Sequence, residues 1–87
     1  MPYTCSHRRD EVETHNGSYV VSTREVKREY FRQAVKIPNQ HWVEIARYKG
    51  NQRARETHQD LVKLLATGDQ KTIELLAQGE NPLSNLN

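Results

Sequence analysis

Apolar positions change period along the chain, alternating in the first half and recurring at helical spacing in the second. Residues 12–14 and 19–26 hold short apolar and β-branched runs that read as strand, and Asn16-Gly17 between them tolerates positive φ and marks a turn. A short hairpin pairing residues 11–14 with 19–22 follows. Residues 30–37 and 41–48 make a longer hairpin around Pro38-Asn39-Gln40, because proline stops the ladder and asparagine suits the turn. Setting Ile37 opposite His41 brings Val35 to Val43, Gln33 to Ile45 and Phe31 to Arg47. Alternation then gathers Phe31, Val35, Ile37, Val43 and Ile45 on a core face. The opposite face collects Tyr30, Arg32, Ala34, Lys36, Trp42, Glu44, Ala46 and Tyr48.

Beyond Tyr48 the strand pattern stops at Lys49-Gly50-Asn51, with Gly50 permitting a turn and Asn51 available as an N-cap. Ala54, His58, Leu61, Val62 and Leu65 then recur at helical spacing and predict an amphipathic helix over residues 52–66, ending at Thr67-Gly68. Asp69 caps a shorter helix over residues 70–78 with Ile73, Leu76 and Ala77 as its apolar stripe, and Gly79 closes it. The expected fold is therefore α+β: a small antiparallel sheet of three or four strands packed on one long helix, with a short second helix at the carboxyl end. Residues 1–10 have no period and read as a flexible leader, residues 11–79 as a single domain and residues 80–87 as a flexible tail. No internal repeat is present.

Composition narrows the function classes. A chain of 87 residues buries only about two-thirds of its unfolded surface, so a large substrate pocket is not expected. Hydrophobic residues at 34% and charged residues at 28% fit a modest core rather than wholesale disorder. The net charge of +2 is unevenly spread: residues 24–55 carry nine Lys/Arg against three Glu, whereas residues 56–87 carry two against five acids. The middle is basic and the carboxyl-terminal third acidic, which makes the molecule dipolar. A single cysteine, Cys5, cannot form an internal disulfide, and neither a secretory signal nor a membrane-length apolar run occurs. The expectation is a cytoplasmic protein with no membrane partner.

Arg47-Tyr48 at a strand end, then Ala54, His58 and Val62 in four-residue steps along one helix, resembles a pattern in small uncharacterised proteins of tailed bacteriophages and prophages. An opening Glu-Thr in the first strand of that group is matched by Glu13-Thr14. The resemblance covers about residues 13–65. Thr57 replaces a glycine usual before the histidine, and residues 49–53 replace the acidic residues common in the group's turn. What the resemblance implies is a phage-type origin, a bacterial host cytoplasm and a β-hairpin-plus-helix fold. It implies no chemistry.

His58 shares a helical row with Ala54 and Val62, so it reads as a half-buried packing residue donating to a backbone carbonyl or a Tyr hydroxyl. A catalytic base would need a carboxylate nearby, and Glu13, Glu44 and Asp60 are the candidates. Cys5 and His7 form a C-x-H pair without a second ligand pair, so no metal site is expected. The phosphate-loop, zinc-protease and serine-hydrolase motifs are absent from the sequence. No catalytic residue and no cofactor is expected, and the chain is read as a non-enzyme.

The face opposite the core supplies the candidate site: Tyr30, Trp42 and Tyr48 beside Arg32 and Lys36, a mixture able to stack bases and meet phosphates. Cross-strand aromatic and cation pairing that merely stabilises an exposed sheet gives the same mixture. The first expectation is a non-enzymatic accessory protein acting through contact with a protein partner, a host or defence factor, or a second copy. The alternative is a small nucleic-acid-binding module using the same five residues.

Overall fold

Two tight turns and one longer loop turn the first half of the chain into a meander. In the computed structural model, which describes residues 6–85, the strands are β1 (His7–Thr14), β2 (Gly17–Lys27), β3 (Tyr30–Lys36) and β4 (Trp42–Lys49). All neighbours are antiparallel and lie in the order β1-β2-β3-β4. Helices α1 (Asn51–Ala66) and α2 (Gln70–Ala77) follow, then a 3-10 turn at Pro82–Asn85. The α+β expectation holds, with four strands, a helix of 16 residues and a short second helix of 8.

Thr14 pairs with Gly17 across the first turn, and Gly17 has φ +115°. A Cβ there would sit 2.9 Å from the Pro38 ring, so glycine lets the β1–β2 turn close against the β3–β4 turn. At the β2–β3 turn, Glu29 adopts φ 63° without being glycine. Its N–H donates to Glu25 Oε2 at 2.8 Å and its carbonyl accepts from the Gly50 N–H at 2.8 Å. Glu25 is buried, and its other oxygen accepts from the Ser6 N–H at 3.2 Å, so backbone donors surround the carboxylate.

One face of the sheet carries the core. Val12, Tyr19, Val21, Val35 and Ile37 meet Leu61 and Leu65 of α1 and Leu76 of α2, with Val43, Ile45, Val62 and Ile73 packed around them. Fully burying each large apolar side chain contributes about 1.5–3 kcal/mol, which is how a 16-residue helix stays seated on so small a sheet. Gly50 occupies the cap position of α1 with no side-chain cap bond, where the sequence suggests Asn51. Asp69 caps α2 as expected, accepting from the Thr72 N–H at 3.1 Å and the Thr72 hydroxyl at 2.6 Å.

The sequence-based register needs one correction with consequences. Val35 faces Val43, but Gln33 faces Ala46 and Phe31 faces Tyr48, because Ile45 is the extra residue of a β-bulge. A one-residue bulge reverses alternation beyond it, so Ala46 and Tyr48 join the helix-facing side and Arg47 moves to the open side. β1 begins at His7, inside the stretch read as a leader, and Pro82–Asn85 form their turn inside the stretch read as a tail. Ala77, assigned to the apolar stripe of α2, is exposed, and Thr72 is buried instead.

Candidate binding surface

The face away from the helices lies open to solvent, with Tyr30 44% and Trp42 45% exposed. Cross-strand pairing builds one row across all four strands on it: His7 faces Arg24, Arg24 faces Arg32, and Arg32 faces Arg47. Neighbouring strands lie about 4.8 Å apart, so the three arginine side chains leave the sheet within about 10 Å of one another. Like charges directly opposite are destabilising. Among the described residues, only Arg47 of this row has a carboxylate at ion-pair distance, Glu44 Oε1 at 2.5 Å from Arg47 Nε. That hydrogen bond holds the Glu44 carboxyl below the usual carboxylate range. His7 Nε2 lies 2.9 Å from the Ser22 hydroxyl.

Aromatic rings mark the two ends of the face. Trp42 pairs with Lys36, and Tyr30 lies six residues back along β3, about 20 Å away at strand rise. Each ring has a cation over it: Arg9 lies 5.8 Å from the centre of Trp42, and Lys27 lies 5.8 Å from that of Tyr30. Of the five residues the sequence singled out, Tyr30, Arg32, Lys36 and Trp42 share this face. Tyr48 does not. It lies on the helix side, where its hydroxyl is 3.2 Å from Asn81 Nδ2 and Arg53 stacks over its ring at 5.7 Å.

Arg9, Arg24 and Arg47 belong to the face and were not among the candidate site residues. Strand alternation through residues 7–14 would have placed Arg9, and an allowance for a bulge would have placed Arg47.

His58 is buried, at 2% exposure, and neither predicted partner is the one it takes. Its Nδ1 lies 2.7 Å from Thr23 Oγ1 and its Nε2 lies 2.6 Å from Asp10 Oδ2. Gln33 Nε2 donates to Thr23 Oγ1 at 3.0 Å; in the arrangement where the Thr23 hydroxyl donates onward to Nδ1, His58 Nε2–H donates to Asp10. The chain therefore runs Gln33, Thr23, His58, Asp10, joining three strands to α1. Asp10 was not among the carboxylates considered, because it lay within the stretch read as a leader.

A carboxylate, an imidazole and a hydroxyl in this order match the parts of a nucleophile relay. Here Thr23 is 2% exposed and already accepts from Gln33, so the seated helix keeps a reacting carbonyl from Oγ1. The arrangement fixes the helix on the sheet. Gln33 Oε1 is buried without a hydrogen-bond partner among the described residues, the one loose end of the network.

Among the described residues, no group of three or more His, Cys, Asp or Glu is placed to hold a metal, and Cys5 lies outside them. Among the described residues, no helix is long and apolar enough to cross a membrane. Compared with protein-family models, curated proteins and solved structures, the chain matches none.

Proposed function

We propose that this protein is a non-catalytic binding module whose working surface is the open sheet face, and that its partner is single-stranded nucleic acid. The cross-strand row of Arg24, Arg32 and Arg47 carries the proposal. Arg47 is met by Glu44, but Arg24 and Arg32 face each other with no carboxylate at ion-pair distance among the described residues, and a polyphosphate backbone supplies regularly spaced anions. Trp42 and Tyr30 at the ends of the face add stacking platforms for bases.

A titration of labelled single-stranded DNA and RNA at low and moderate salt, with Trp42 emission followed in parallel, tests the reading. Binding should weaken steeply with salt and quench Trp42. The Arg24→Gln/Arg32→Gln double variant should lower the slope of log K against log salt by about 1.4, two phosphate contacts at about 0.7 each. Binding indifferent to salt, or a double variant with unchanged slope, would reject the assignment.

Contact with a protein partner, placed first on sequence alone, becomes the second reading. It is favoured by a notch of about 200 Å³ lined by Val26, Lys27, Tyr30, Phe31 and Arg47, in which Val26 is 47% exposed. A role as a phage-type accessory protein in a bacterial cytoplasm rests on the Arg47-Tyr48, Ala54, His58, Val62 spacing alone. Ala54, His58 and Val62 are the positions that seat α1, so the spacing speaks for a shared fold before a shared task.

A further inference from the structure

The open face has relief. Its second cross-strand row is Arg9, Ser22, Ala34 and Glu44, with the two short side chains at the centre. Arg24 and Arg32 rise on one side of that row and Trp42 on the other, enclosing a concavity of about 480 Å³. This volume lies within the range of small-molecule sites, about 300–1,000 Å³. Arg9 starts on β1, yet its guanidinium carbon lies 5.8 Å from the centre of the Trp42 ring on β4, so it arches over the short side chains. Glu44 forms the end wall, held as a carboxylate by Arg47.

We propose that this concavity is a base pocket selective for guanine in a single strand, with the ring held between Trp42 and Arg9 and read by the Glu44 carboxylate. The proposal rests on the nucleic-acid reading and adds the base and the residue that chooses it. Stacked layers lie about 3.5 Å apart, so a base between guanidinium and indole needs about 7 Å. The present 5.8 Å between the guanidinium carbon and the ring centre is shorter than that, so Arg9 has to swing outward, which it is free to do from its exposed place on an edge strand.

Selectivity follows from donor and acceptor counts. An ionised carboxylate only accepts. Guanine offers adjacent N1–H and N2–H donors, whereas adenine and cytosine set one amino donor beside a ring acceptor, and uracil sets one donor between two carbonyls. Arg24 and Arg32, on the adjoining wall, face the phosphates that flank the bound base.

The test uses the full chain and oligouridylates of one length carrying a single central guanosine, inosine, cytidine, adenosine or uridine, with affinity read by fluorescence anisotropy. Guanosine should bind about tenfold or more tighter than uridine, since a good bidentate contact discriminates on that scale. Inosine, which lacks the N2 amine, should fall between them. Glu44→Gln should bring the guanosine-to-uridine ratio towards one while binding of plain oligouridylate persists, because the exposed glutamine keeps the shape and loses the pure acceptor, and the Arg47 it releases raises affinity for every strand alike. Equal affinity for all five oligonucleotides, or a ratio unchanged in Glu44→Gln, would overturn base selection and leave strand binding standing. Absence of binding to every oligonucleotide at low salt would remove the strand-binding reading itself.

Discussion

On the inner face of the sheet, Thr23, Gln33 and His58 are each at most 2% exposed and pass a chain of hydrogen bonds from β3 to α1. On the outer face, one strand position away, Arg24 and Arg32 stand opposite each other and neither has a carboxylate at ion-pair distance among the described residues. The inner groups are polar where burial makes polarity expensive, and apart from Gln33 Oε1 they are met by one another, by Asp10 and by Thr57. The outer pair is charged where water would tolerate almost anything, and Arg24 is set against Arg32, with Glu44 as the nearby carboxylate that draws Arg32 and pairs with Arg47. Polar residues that stabilise are explained by the fold. Charged residues that work against the fold call for a partner.

This contrast gives mutations of opposite sign. The largest effect should come from the core beneath both faces: Leu61→Ala, at 0% exposure, should cost about 2–5 kcal/mol in denaturant unfolding, since it leaves a cavity as well as losing burial. A loss of only a few tenths would mean that α1 is not seated through Leu61. Next, Thr23→Val should cost about 1–3 kcal/mol, because it strands His58 Nδ1 and leaves Gln33 Nε2 only its 3.4 Å bond to Thr57 Oγ1. Combining it with His58→Leu should cost less than the two single changes added together, a coupling of about 0.5–3 kcal/mol. Strict additivity would mean the relay is not a unit.

Tyr48→Phe should cost about 0.5–1.5 kcal/mol through its lost bond to Asn81 and leave oligonucleotide affinity unchanged. Weakened binding with intact stability would return Tyr48 to the open face and contradict the bulge. Smallest, and of the other sign, Arg32→Thr should stabilise the fold by about 0.2–1 kcal/mol, since the like-charge contact it removes from Arg24 outweighs the attraction it loses to the exposed Glu44 carboxylate. The same variant should bind oligonucleotides less tightly. Destabilisation by Arg32→Thr would show that the row contributes to folding.

Element types were legible because the patterns were long and unambiguous. Strand alternation at residues 30–37 and helical spacing from Ala54 to Leu65 each admit one period. What escaped was local and geometric. A bulge leaves no signature in composition, since Ile45 is as good a strand residue as any neighbour, yet it decided the faces of Ala46, Arg47 and Tyr48.

β1 escaped at its start because residues 7–11 are all polar or charged, and alternation needs apolar residues to be seen. That hid Asp10 as the partner of His58 and Arg9 as the cover of Trp42. The histidine itself was read in the right place, on the packed face of α1. Its partners were not, because they come from strands 48 and 35 residues away in sequence.

The most direct test of the working face is an NMR map of backbone amide shifts as a short single-stranded oligonucleotide is added to the protein. The account predicts the largest shifts on β2, β3 and β4 around Arg24, Arg32, Ala34, Trp42 and Arg47, with the amides of α1 and α2 hardly moved. Shifts concentrated on the helices, or none at low salt, would contradict it.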